Sequence, residues 1–201
     1  MAEKRGSFFN RLIPRFIRTP LYNYLDKITV LRYYSDLAEE LVNPEEKTAL
    51  DYLKNNKLGV FPYPFQKKYN KNKIIVFKDE LLKLKYVVHD GKRLYFRRKS
   101  STRGIKRNYN ALLMEQDINS PHRYLTSDYR VNTNDILVDI GAAEGILALS
   151  VIDIVKKVYL FETDQNWIEA LEATFSPWID KVEIINKFVS DRNDENHVSL
   201  D

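Results

Sequence analysis

Asp139, Gly141, Glu144 and Gly145 stand together in the run Val138-Asp139-Ile140-Gly141-Ala142-Ala143-Glu144-Gly145. Two glycines with a short spacer make a tight turn, and two carboxylates beside that turn can hold a cation. Between a strand and a helix, such a turn carries a nucleotide-like ligand on its backbone N–H groups. A dinucleotide needs a middle glycine, G-x-G-x-x-G, so that its pyrophosphate can approach the main chain. Here the middle positions are Ala142, Ala143 and Glu144. Asp139 and Glu144 would repel a pyrophosphate and suit a ligand that carries an ammonium group.

S-adenosylmethionine fits that description, with an ammonium, a sulfonium and no phosphate. A second apolar stretch, Val158 to Phe161, ends in Glu162, and an acid there is placed to accept hydrogen bonds from ribose hydroxyls. Either adenosine cofactor needs that contact, so the glycine spacing and Asp139 make the choice between them. Asp139, the turn from Gly141 to Gly145, Glu162 and the neighbouring Thr163 therefore form the expected cofactor set.

The elements that must hold these residues are legible in the apolar pattern. Ile136 to Ile140 is short and aliphatic, as a buried strand would be. Ile146 to Val155 has apolar residues at 147, 151 and 155 and at 146, 149 and 152, which predicts a largely buried helix. Thr163-Asp164 can cap a helix carrying Trp167, Ile168, Leu171 and Phe175, which Pro177 ends. Val182 to Ile185 reads as a third strand, continuing to Phe188-Val189-Ser190-Asp191.

VDIGAAEG followed by YLFETD resembles the class I S-adenosylmethionine-dependent methyltransferases, and closely their FkbM-type branch. The resemblance runs from Tyr86 to Asp191. It implies a Rossmann-like α/β fold, preceded by a small β element, and methyl transfer to an oxygen of a sugar or small metabolite. In that family a polar or acidic residue at the end of the third strand reaches the adenine amino group. By position Ser190 and Asp191 fall there, although plain turn chemistry before Asn193-Asp194 explains them equally well. The family's sheet has seven strands, of which three are seen here, and its D-x-E-G motif after the fourth has no counterpart. No catalytic residue is therefore carried over. The expected sheet is incomplete, with Ile136 to Ile140 as an edge strand. This predicts the N-terminal part of a longer enzyme, inactive and poorly soluble alone, unless the basic N-terminal region supplies the missing partner. Two other functions stay open: a non-catalytic binding module that kept the cofactor fold, and a dinucleotide-dependent oxidoreductase.

Residues 131–201 carry 5 Lys+Arg against 14 Asp+Glu, a net −9, which leaves +13 for residues 1–130 in a chain of net +4. The basic half could face an anionic partner, or its charge could serve a solvated surface and attraction between the halves. The chain divides into a basic helical region at 1–70, a β-hairpin and helix lead-in at 71–130, and the cofactor segment at 131–201. Residues 1–18 alternate arginine with Phe8, Phe9, Leu12 and Ile13. They could touch a membrane surface weakly, or pack as an arm. Thr19-Pro20 and Asn43-Pro44 read as helix starts, with a core stripe Leu21, Tyr24, Leu25, Ile28 and Leu31 in the first helix. Ala49, Tyr52 and Leu53 share a face of the second, and Gly59 is its expected end. Phe61 to Phe65 reads as an extended linker. Ile74 to Phe77, Leu84 to His89 and Arg93 to Arg97 read as strands, the last two joined at Asp90-Gly91, a hairpin signal.

Arg93, Arg97, Arg98 and Lys99 form a basic patch with Tyr95 and Phe96, but alternation places one of those rings in the core, so no nucleic-acid partner is expected. Ile105 to Asp117 predicts a helix. It leads into a dense polar cluster, where His122 could act as a general base and Arg123 could hold a carboxylate or phosphate; turn and capping contacts are the alternative. Three scattered histidines and no cysteine lead to no expected metal site. The absence of cysteine and of a signal-peptide core leads to a cytoplasmic expectation. Oligomeric state is left open.

Overall fold

Two compact units, Met1–Tyr69 and Asn70–Asp201, divide the chain. The computed structural model describes residues 15–37 and 41–190, with side chains from residue 22 onward. The expected arm at 1–14, and Asp191, lie outside the described residues.

In the first unit, helix α1 (Arg15–Ser35) runs straight through Pro20 instead of starting there. Its expected core stripe is also overturned in part: Tyr24 and Leu25 are exposed and Ile28 and Leu31 half-buried. Helix α2 (Pro44–Asn55) does start at its cap, with the Asn43 side chain accepting from Glu46 N and Glu46 returning the bond to the Asn43 N–H. That reciprocal pair satisfies two otherwise orphaned donors. The helix ends at Asn55, before Gly59, where Lys27 Nζ donates to the carbonyls of Lys54 and Asn56. A cation there complements the helix dipole. The expected linker does not run open to solvent. Phe61 and Phe65 are buried, and Pro64–Lys68 forms a 3-10 turn.

The second unit is mixed α/β. Strands β1 (Phe77–Lys78), β2 (Lys85–His89) and β3 (Lys92–Phe96) make an antiparallel sheet in that order. Asp90 and Gly91, with φ of 48° and 78°, form the hairpin turn, as the right-handed strand twist requires. Helix α3 (Thr102–Glu115) follows, capped by Ser101. Strands β4 (Ile136–Ile140), β5 (Lys157–Phe161) and β6 (Val182–Ile185) form a parallel sheet in sequence order, with helices α4 (Ile146–Val151) and α5 (Gln165–Phe175) between them. Helix α4 is shorter than its apolar pattern. It closes through Ile154 N and Val155 N, both donating to Val151 O, yet Ile152 and Val155 stay buried.

Both sheets share one core. Val87, Leu94 and Phe96 of the hairpin pack with Ile105 and Tyr109 of α3, Leu149 of α4, Val158 and Leu160 of β5, and Leu171 and Phe175 of α5. Tyr95, expected to alternate outward if Phe96 is core, is buried too, in a second cluster with Leu84 and Ala170. Its backbone N–H donates to the buried Thr174 hydroxyl of α5 at 3.0 Å. The three arginines of the basic patch are engaged in this packing. Arg93 pairs with Asp79, Arg97 with Asp164 and Arg98 with Glu169. Arg93 and Arg97 also lie over the rings of Tyr86 and Trp167.

The parallel sheet is covered on one side. Leu137, Val158 and Val182 are in register and face the core. On the alternate side Ile136, Val138 and Ile140 are 57%, 52% and 61% exposed. Strand β4 pairs only with β5 among the described residues. No helix among the described residues is long and apolar enough to cross a membrane.

His89 is buried and joins three elements. Its Nδ1 lies 2.9 Å from the Tyr109 hydroxyl and its Nε2 3.0 Å from Ser150 Oγ. Ser150 already donates to Ile146 O, so it accepts from His89 Nε2–H and leaves Nδ1 to accept from Tyr109. Burial, and then Asp90, push the Tyr109 phenol up to about 12, which keeps it a donor. A neutral imidazole satisfies every partner. Burial lowers the His89 pKa below its ordinary 6.5, against the opposing charge of Asp90. The unfolded chain therefore binds this proton first as pH falls. Stability should be complete above the ordinary value and decline as pH drops from about 6.5 toward the lowered folded value. Urea midpoints across that window should show the decline, and His89→Gln should flatten it.

Candidate functional site

The chain turns sharply where β4 ends. Gly141, Ala143 and Gly145 all have positive φ, at 75°, 47° and 71°. The two glycines serve different needs. A Cβ at Gly141 would meet nothing within 4 Å, so that glycine supplies the backbone angle and leaves open space above the strand end. A Cβ at Gly145 would sit 2.8 Å from Leu171 Cδ2 and 2.9 Å from Phe175 Cε2, so this glycine lets the turn seat against α5. Replacing Gly145 by alanine should cost about 2–4 kcal/mol, from overpacking added to the left-handed backbone. Gly141→Ala should cost only about 1–2 kcal/mol. Denaturant unfolding of the two variants tests the ranking.

Most N–H groups of the turn are already occupied. Gly141 N and Ala142 N donate to Phe161 O at 2.8 and 3.1 Å, and Gly145 N donates to Ala142 O at 2.7 Å. Ala143 N donates to Glu162 Oε2 at 2.9 Å. Helix α4 has only six residues, too few to build up an appreciable terminal dipole charge. The turn amides are thus largely engaged within the fold, and the side chains that gather at the turn are carboxylates.

Glu162 follows β5 and is the fastener of the site. Its Oε2 holds the glycine turn through Ala143 N, and its Oε1 accepts from Thr163 N at 2.7 Å and Asp164 N at 2.9 Å. Thr163 contributes its backbone to that contact, and Asp164 caps α5 through Asn166 N. A carboxylate has roughly four lone-pair directions, so one remains for an outside donor.

Asp139 and Glu144 complete a partly buried acidic mouth. Burial, followed by the charge of Glu162, raises the Asp139 pKa above its ordinary value. Burial raises that of Glu144 too, with Glu115 and Asp139 adding to it and the Asn108 side chain opposing. Tyr124 joins the group: burial raises its phenol, then Glu115, with Asp139 and Glu144 behind. No cluster of acids and histidines with metal-holding geometry occurs among the described residues.

Asn108, Glu115 and Tyr124 were not in the expected site. The first two are seven residues apart on α3, two helical turns, and so share a face. That spacing was readable; its alignment with Glu144 required the fold. Ala142 is buried under the turn. Ser190 is exposed and lies beyond the end of β6, which stops at Ile185 rather than continuing. His122 is exposed, and its backbone N–H donates to Ser120 Oγ. Arg123 lines a separate cavity.

No protein-family model and no curated protein matches this sequence.

Removing the fastener tests its role. Glu162→Ala strands the Ala143 N–H and two α5-entry N–H groups, and should cost about 1–3 kcal/mol of stability for the donors left unsatisfied. Amide exchange at Ala143 should speed up in the same variant. Wild-type exchange there would show that the carboxylate does not hold the turn.

Proposed function

We propose that the carboxyl end of the parallel sheet binds S-adenosylmethionine, and that the chain belongs to an oxygen-directed methyltransferase resembling the FkbM type. The fold this implies is the first half of a Rossmann-like methyltransferase sheet, and a cytoplasmic setting goes with it. One observation carries the reading. The turn offers a ligand desolvated carboxylates, and the N–H groups of Gly141, Ala142, Ala143 and Gly145 are spent on internal acceptors. Such a site attracts an ammonium and a sulfonium, and it opposes the pyrophosphate of a dinucleotide.

In this reading Asp139 and Glu144 neutralise the amino-acid end of the ligand, and the space above Gly141 admits it. Glu162 keeps the turn closed with three of its lone pairs and accepts a ribose hydroxyl with the fourth. The bound cofactor supplies an electrophilic methyl group on a sulfonium. The protein's contribution to such a displacement is mainly alignment, with the acceptor oxygen in line behind the carbon.

Calorimetric titration with S-adenosylhomocysteine tests the binding. The raised pKa values of Asp139 and Glu144 set its pH dependence. Each carboxylate holds its proton to a higher pH than usual, and only the ionised form attracts the ligand ammonium. Affinity should therefore rise with pH through the region just above the ordinary carboxylate values and level off beyond it. Glu144→Gln should weaken binding about tenfold or more at neutral pH, the scale of one charge-assisted contact. Tighter binding of NAD than of S-adenosylhomocysteine would reverse the choice of cofactor. Failure to bind S-adenosylhomocysteine would favour a non-catalytic module.

A further inference from the structure

A cavity of about 460 Å³ lies in the loop after α3, lined by Ile118, Ser120, Arg123, Thr126, Ser127 and Arg130. It is open to solvent: Ile118, Thr126, Ser127 and Arg130 are exposed, while Ser120 is buried. The loop is held by its own polar contacts. Ser120 N donates to Asp117 O at 2.8 Å and Arg123 N to Ser120 O at 3.2 Å. Thr126 Oγ1 accepts from Asp128 N and Tyr129 N, and Thr126 N donates to Tyr129 O. Arg130 Nε donates to Ser127 O at 3.0 Å, which fixes that guanidinium at the rim and leaves its terminal nitrogens to other acceptors.

The arginines of this loop differ from those of the hairpin. Arg93, Arg97 and Arg98 each have an acid partner. Among the described residues neither Arg123 nor Arg130 forms an ion pair, and both border the same cavity. Two guanidiniums beside hydroxyl groups suit an anionic oxygen group, which arginine can grip with paired N–H donors. The residue between Arg123 and Leu125 is Tyr124, whose phenol feels Glu115, Asp139 and Glu144. One short loop thus borders both a basic cavity and the acidic mouth.

We infer that this cavity is the substrate subsite, and that the methyl acceptor is a small molecule bearing a phosphate or a carboxylate, held by Arg123 and Arg130. The inference rests on the methyltransferase reading for the word substrate, while the anion site itself stands on the cavity. Opposite charges along this loop sort the ligands: the cationic cofactor to the carboxylates, the anionic acceptor to the arginines.

The test uses the full 201-residue chain and calorimetric or NMR titration with glucose 6-phosphate, glucuronate and glucose, with and without S-adenosylhomocysteine. At least one of the two anions should bind about tenfold or more tighter than glucose, and the preference should shrink as salt is raised. The stronger of the two identifies phosphate or carboxylate as the group recognised. Arg123→Gln with Arg130→Gln should abolish the preference, and affinity for S-adenosylhomocysteine should stay within about twofold. The paired lysine variants should restore part of the anion affinity, which separates loss of charge from loss of fold. Arg103→Gln, an exposed arginine on α3 outside the cavity, should change nothing. Equal affinity for all three sugars, or binding of none, overturns the anion site. A parallel loss of S-adenosylhomocysteine affinity in the double glutamine variant also overturns the substrate assignment, because the arginines would then hold the cofactor's own carboxylate. Failure of the cofactor reading alone shows up differently, as anion binding that persists with no S-adenosylhomocysteine binding.

Discussion

The three bonds accepted by the Glu162 carboxylate join parts of the chain that are otherwise separate. One oxygen reaches back to Ala143 in the glycine turn, and the other closes the entry to α5. Without that bridge the turn would rest on Phe161 O and on the packing of Gly145 against α5 alone. The strained φ of Ala143 needs such a restraint, since a residue with a Cβ enters the left-handed region only at a cost. The position of Glu144, and hence the acidic mouth, follows from that restraint. A single carboxylate therefore sets local stability and the shape of the candidate site together.

The charge asymmetry of the sequence takes on a physical meaning in the second unit. The hairpin arginines are drawn onto Asp79, Asp164 and Glu169 and onto the rings of Tyr86 and Trp167. Exposed ion pairs of this kind contribute little stability each. Their consequence is elsewhere: each of these three guanidiniums already faces an acid, whereas Arg123 and Arg130 border a cavity.

Most elements of the second unit were legible because their signals are local, although the strand expected from Ile74 to Phe77 is reduced to Phe77–Lys78. Asp90-Gly91 marks a turn that needs positive φ, and the aliphatic runs at 136–140, 158–161 and 182–185 have strand length. The cap at Asn43-Pro44 was readable for the same reason. The pattern failed where a long-range contact decides. Thr19-Pro20 looks like a start, but the helix begins earlier. Phe61 and Phe65 look like a linker, yet both rings are buried. Tyr95 breaks alternation because β3 is covered on both faces. In the site, Gly141, Gly145 and Glu162 could be found from spacing. Asn108 could not, because its partner Glu144 is far away in sequence. Nor could the engagement of the turn amides, which depends on the carbonyl of Phe161.

The exposed outer face of β4 bears on how the second unit responds to heat and denaturant. Parallel sheets are ordinarily buried on both faces. Here Ile136, Val138 and Ile140 face outward in the folded state, so unfolding uncovers little new apolar surface on that side. Heat-capacity change and denaturant sensitivity both scale with the surface newly hydrated. The exposed strand β4 therefore adds less to the heat-capacity change and urea sensitivity of the second unit than the half-buried Tyr159 and Phe161 beside it.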